Sequence, residues 1–216
     1  MSFSSDDVRR LREQTGAGMM SCKEALVSCA GNFEKSVEYL RKKGLAAAEK
    51  KQGRIAAEGM VGSYIHNGKI GVMVEVNCET DFVAKSTDFQ NFVKDVAMQV
   101  AAASPRFIKS EDIDEDFKRK ESEIYAAQLK NEGKPDHMIA KIVEGKIKKM
   151  ASEVCLLEQP YIKDTDKTVK DLLNELTLKL GEKIQVRRFT KFILGEGIEK
   201  KQENFADEIA KMTGQQ

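Results

Sequence analysis

Four cysteines, two histidines and 35 carboxylates are the side chains of this 216-residue chain that could do chemistry. Their spacing excludes most of it. Cys22, Cys29, Cys78 and Cys155 include no CxxC pair, and neither His66 nor His137 stands at ligand spacing from them, so no zinc site is expected. With no secretory signal ahead of them, they read as reduced thiols of a cytosolic protein. His66 has no Ser, Cys or Asp arrangement around it that resembles a relay, and reads as structural or solvent-facing. No carboxylate pair stands in an acid/base context. Gly195-Glu196-Gly197 lacks the strand–loop–helix glycine pattern of a phosphate cradle, and there is no nucleophile elbow. The expectation is a protein with no catalytic residue, no bound metal and no cofactor.

What remains is the chemistry of contact. The apolar residues Ile70, Val72, Val74, Val76 and Cys78 alternate as in a half-buried strand. The run stops at Glu79-Thr80-Asp81. Phe89, Phe92, Val93, Val96, Ala97 and Val100 then recur at helical spacing, with Ser86 or Thr87 available as N-cap. Thr80, Asp81, Phe82 and Val83 therefore lie on a strand-to-helix connection, where function often resides. Phe82 beside Asp81 has two readings. It folds back as a core plug, which the residues alone favour, or it probes another protein's cleft.

The elements that position this stretch follow from punctuation and period. Residues 4–44 read as three short helices. The first carries Val8 and Leu11 and is broken by Thr15-Gly16-Ala17-Gly18. The second starts at the capping-box pattern Ser21-Cys22-Lys23-Glu24. The third is capped by Asn32 and stopped by Lys42-Lys43-Gly44. Met19 and Met20 fall on the first loop, and two methionines there imply that at least one faces outward. Leu45 to Gly53 reads as a helical connector. Gly59–His66 and Lys69–Cys78 form a hairpin around Asn67-Gly68. A helix over 87–103 follows, then a helical hairpin over about 111–151 broken at Gly133-Lys134-Pro135-Asp136. Cys155–Ile162 is short and extended. Asp164–Thr168 opens a helix ended by Gly181, Ile184–Ile193 is a strand, and Ile198–Met212 is a terminal amphipathic helix with Phe205, Ile209 and Met212 on one stripe. The fold class is α+β: a three-helix N-terminal bundle, an antiparallel-sheet core with packed helices, the helical hairpin and a C-terminal helix. The expected domains are 1–53, 54–197 and 198–216.

Composition bounds the partners. A third of the chain is charged, yet the net charge is only +1. That gives no strong field for nucleic acid. Trp is absent and aromatics are few, which argues against a stacking platform for single strands. No apolar run reaches the roughly 20 residues of a membrane helix. An RNA- or ribosome-associated module using Lys42, Lys43, Lys50, Lys51 and Arg54 is the alternative to a protein-contact factor.

Two stretches carry a resemblance. Leu11-Arg12-Glu13-Gln14-Thr15-Gly16-Ala17-Gly18-Met19-Met20-Ser21-Cys22-Lys23-Glu24-Ala25-Leu26 resembles the N-terminal signature of the translation elongation factor Ts family. Glu75-Val76-Asn77-Cys78-Glu79-Thr80-Asp81-Phe82-Val83-Ala84-Lys85 resembles its second signature. Similarity continues through Lys134-Pro135, Ile142–Gly145, Val154–Pro160 and Gly195–Lys200, nearly the whole chain. The resemblance implies a cytoplasmic guanine nucleotide exchange factor, not an enzyme, that binds elongation factor Tu in its GDP-bound and nucleotide-free states. It implies that the bundle is ubiquitin-associated-like (UBA-like), with Leu11, Met19, Met20 and Lys23 at positions that contact the nucleotide-binding domain of Tu. It implies that Thr80, Asp81, Phe82 and Val83 enter Tu near its magnesium ion and dislodge it, with Phe82 as wedge. The terminal stripe Phe205, Ile209 and Met212 resembles the part that grips another Tu domain. Longer members carry two related core subdomains, whereas this chain has one Thr-Asp-Phe-Val segment. The short form pairs into homodimers, so a homodimer is expected, in a two-to-two assembly with Tu. Neither a membrane nor a direct nucleic-acid partner is expected.

Overall fold

The computed structural model describes residues 3–198. The stripe Phe205, Ile209 and Met212 lies outside the described residues. The chain is α+β, as its patterning predicts.

The N-terminal bundle comprises α1 (Ser5–Thr15), α2 (Met19–Ser28) and α3 (Phe33–Lys51). Ser4 caps α1 in a reciprocal box with Asp7, and Gly16 ends it in the left-handed conformation at φ 66°. Val8, Leu11, Ala17, Cys22, Ala25, Leu26 and Leu40 form its core. Two expectations change here. Helix α2 starts at Met19, with Gly18 as N-cap and no side-chain cap, rather than at Ser21. Met19 and Met20 thus occupy a helical first turn, not a loop. Helix α3, capped by Asn32 as expected, does not stop at Gly44 but runs on to Lys51 in one piece. The reason is tertiary. Gly44 is buried against α8 (Val169–Leu180), where an added Cβ would meet the Asn174 carbonyl at 3.6 Å. The Arg41 guanidinium donates to both oxygens of Asp171 on the same helix. Packing outweighs the roughly 1 kcal/mol that a mid-helix glycine costs.

The core sheet has three antiparallel strands in the order β1 (Glu58–His66), β2 (Ile70–Cys78) and β5 (Gln185–Ile193). Asn67 and Gly68, both at positive φ, make the tight β1–β2 turn that Asn-Gly predicts. One sheet face is covered by α5 (Thr87–Ala103) and α8. Its interior is Val72, Val74, Val76 and Val186 against Phe89, Phe92, Val93, Val96 and Val100. Gly62 of β1 lets α5 approach closely, since a Cβ there would overlap Val93 Cγ1. Among the described residues no helix covers the opposite face, which displays Val61, Ile65, Met73 and Phe192, all exposed.

Helices α6 (Glu115–Asn131) and α7 (Asp136–Val154) form the expected hairpin, footed on Ile113, Met150, Ala151 and Cys155. One further expectation changes. Asp164–Thr168 is not a helix start but strand β4, paired with β3 (Pro160–Tyr161) in a separate two-stranded ladder. Helix α8 begins only after Thr168, whose hydroxyl accepts from the Asp171 N–H in a capping box. Among the described residues no helix is long and apolar enough to cross a membrane.

Candidate functional site

Strand β2 loses its partner at Cys78, the last residue of the β1 ladder. The chain beyond must satisfy its backbone by other means. Thr80 does so as N-cap of α4 (Asp81–Ala84), a single helical turn, through a hydroxyl that accepts from the Val83 N–H at 3.4 Å. Lys85 donates to Asp81 at 2.7 Å across that turn. This bond, first among its causes, holds the Asp81 carboxyl below the ordinary range. The Ser86 hydroxyl donates to the Val83 carbonyl at 2.7 Å and accepts from the Phe89 N–H, locking α4 to the start of α5. Val83 and Ala84 rest against the core. Phe82 does not: it is 81% exposed. The core-plug reading is therefore replaced by the exposed one. Thr80, Asp81 and Lys85 also reach solvent but are tied to polar partners, whereas the Phe82 ring is an exposed apolar group.

The back of the turn is held by residues about a hundred positions away. Glu182 Oε2 accepts from the Glu79 and Thr80 amides at 3.1 and 3.0 Å, and Oε1 accepts from the Thr80 hydroxyl at 2.6 Å. The Glu79 carboxylate accepts in return from the Lys183 N–H at 2.6 Å and from Arg54 at 3.3 Å. The Lys183 ammonium donates to the carbonyls of Gln52 and Arg54. The hydrogen bond donated by the Lys183 backbone N–H holds the Glu79 carboxyl below the usual carboxylate range.

A second exposed feature lies on α2. Met20, Lys23 and Val27 stand at helical spacing and are all exposed, with Met19 beside them. Lys179 bridges this bundle to the core. Its ammonium pairs with Asp88 on α5 at 2.7 Å, and a Cβ on Gly16, three residues before Met19, would sit 3.6 Å from its Cδ.

Comparison with known proteins bears on these two features together. Residues 48–196 match the family model described as elongation factor TS. Over its length the chain is 59% identical across 209 residues to the elongation factor Ts of Desulforamulus reducens, covering 96% of each chain. It is 56% identical across 215 residues to that of Geotalea uraniireducens, covering 99% of this chain and 100% of the relative. It is 57% identical across 215 residues to that of Alkaliphilus oremlandii, covering 100% of both. The chain belongs to the elongation factor Ts family. Each of these relatives is matched over nearly its whole length.

Within this chain, the structure sorts the residues singled out from sequence. Thr80, Asp81, Phe82 and Val83 form one continuous turn. Met19, Met20 and Lys23 are together and exposed. Leu11 is not with them at the surface: it is fully buried between the bundle helices and supports α2 from beneath. Of the basic residues, Lys42 pairs with Glu38, Lys43 with Glu24 and Arg54 with Glu79. Cys22, Cys78 and Cys155 are buried thiols, and Cys29 is half-buried. Burial pushes up the thiols of Cys22, Cys78 and Cys155, the last to about 11. No cluster of three metal-ligating side chains occurs among the described residues. Sequence reading missed Val27 and Glu182. Val27 was legible as the continuation of the Met20–Lys23 spacing. Glu182 carries no local signal, because its partners are over a hundred positions distant.

Proposed function

We propose that this chain is a guanine nucleotide exchange factor for elongation factor Tu in translation elongation, acting by contact and with no covalent step. The observation that supports this reading beyond family membership is Phe82, 81% exposed on a turn whose backbone is already hydrogen-bonded. On binding Tu·GDP, Thr80, Asp81, Phe82 and Val83 enter the partner beside its magnesium ion. Phe82 is the wedge, and Asp81, bonded to Lys85, keeps the turn in shape. Met19, Met20 and Lys23 hold the nucleotide-binding domain of Tu, supported by Leu11, while Phe205, Ile209 and Met212 grip another Tu domain. The working parts are residues 1–53, 54–197 and 198–216.

Magnesium bridges nucleotide phosphate oxygens and protein oxygens, so its displacement removes a large favourable charge interaction and GDP leaves faster. The ion is the partner's, and this chain holds no cofactor. Coupling between the two ligands of Tu is reciprocal: whatever factor Ts weakens GDP by, nucleotide weakens Ts by, and incoming nucleotide expels the factor.

The bare sheet face supports a homodimer. Val61, Ile65, Met73 and Phe192 form an apolar patch of the kind a second copy covers. Its two-fold use would complete the core as a two-layer sandwich.

The test is release of fluorescent GDP from Tu. Acceleration should be saturable in this protein and suppressed by excess unlabelled GDP through loss of the Tu–Ts complex. A release rate unaffected by stoichiometric protein removes the proposed function.

A further inference from the structure

We propose that Glu182 is a positioning residue for nucleotide exchange, acting through Phe82, an assignment that rests on the exchange function proposed above. Three donors converge on this one carboxylate: the amides of Glu79 and Thr80 and the hydroxyl of Thr80. The amides need it because the β1–β2 ladder ends at Cys78, leaving the next two N–H groups without strand partners. The hydroxyl contact does more than satisfy a donor. By accepting the hydrogen bond from the Thr80 hydroxyl, Glu182 leaves that oxygen's lone pair turned toward the Val83 N–H, the bond that caps α4. The cap in turn fixes the single turn on which Phe82 sits. A four-residue helix has too few internal bonds to hold itself. Its geometry is therefore imposed from outside, by Glu182 at its start and Ser86 at its end.

The neighbouring residues reinforce the carboxylate's position. Glu79 accepts from the backbone N–H of Lys183, the residue after Glu182. The two segments thus exchange bonds in both directions: Glu182 accepts from the Glu79 and Thr80 amides, and Glu79 accepts from the Lys183 amide. Lys183 then ties this pair to the Gln52 and Arg54 carbonyls past the end of α3. Preorganisation of this kind favours insertion, because the entropy of ordering the turn is not charged to the binding step.

Replacement separates the roles of the two oxygens. Glu182→Ala removes all three bonds. Glu182→Gln keeps one acceptor oxygen and presents an NH2 group in place of the other, so it restores part of the clamp. We expect Glu182→Ala to lower the GDP-release rate at saturating factor by about 10-fold, with Glu182→Gln about 3-fold below wild type. The decisive measurement repeats Glu182→Ala in two backgrounds. With Met20→Ala the full loss should persist, since that contact is independent. With Phe82→Ala the further loss should shrink to less than twofold, since the residue being positioned is gone. Equal loss in both backgrounds makes Glu182 a general structural residue and overturns the proposal, as does a Glu182→Ala variant as active as wild type. Hydrogen exchange supplies the second reading: the Glu79 and Thr80 amides should exchange at least about 10-fold faster in Glu182→Ala. Unchanged exchange at those amides, with wild type still accelerating GDP release, refutes the clamp and leaves the proposed function standing. Failure of wild type to accelerate release removes the function, and the positioning role with it.

Discussion

Phe82→Ala is the sharpest perturbation available, because the ring does almost nothing for the free protein. Fully burying a phenylalanine is worth about 1.5–3 kcal/mol relative to leaving it in water. With Phe82 81% exposed, roughly 2 kcal/mol of that remains to be realised on the partner. At about 1.4 kcal/mol per factor of ten, the truncation should lower exchange efficiency by roughly 30-fold. The same exposure limits the effect on folding to within about 0.5 kcal/mol, or a shift of at most about 2 °C in Tm. The assay is stopped-flow release of fluorescent GDP over a range of factor concentrations, paired with thermal denaturation of the free variant. Phe82→Leu, which keeps most of the apolar surface, should retain most of the activity. An alanine variant within twofold of wild type, with an unchanged Tm, refutes the wedge. A large fall in Tm would refute the premise that the ring is bare.

Two other outcomes follow from the sheet. Hydrogen bonds from Arg187, then Arg188, depress the Glu75 carboxyl from its ordinary 4.5 to about 2. A depressed carboxyl contributes stability that is complete above the ordinary value and lost as pH falls through about 2. Glu75→Gln should therefore be less stable than wild type at neutral pH, with the gap closing between about pH 4.5 and 2; denaturant melts across that range check it, and a gap independent of pH counts against the ion pairs. Met73→Glu places a carboxylate at the centre of the bare face, and should weaken self-association by at least about 100-fold in sedimentation velocity while leaving the monomer folded. An unchanged monomer–dimer equilibrium would place any dimer contact elsewhere.

The elements that sequence announced were those whose signals are local. Asn67-Gly68 specified a turn needing two positive φ values, and the alternation from Ile70 to Cys78 could lie only one way on a core. Ser86 and Gly181 marked helix ends by their chemistry. The misread elements are those decided by distant contacts. Gly44 has the local appearance of a stop, but α8 packs on it and the helix continues. The Ser21–Glu24 box is a sound start signal that loses to an earlier one at Gly18. Strand β4, Asp-Thr-Asp-Lys-Thr, has no apolar alternation and exists because Pro160 and Tyr161 pair with it. The exposed loop was legible as a location, yet Phe82's exposure was not, because an apolar residue beside a core strand carries no sign of which way it points.

The continuity of α3 has a mechanical consequence. The helix carries the bundle onto α8 without a joint, so the Met20 patch and the Phe82 turn are set on one frame like the jaws of a fixed caliper. If both surfaces contact one partner, as proposed, then once one jaw engages the other faces its target at a high effective concentration. Grip then depends on the spacing between the jaws as well as on their chemistry.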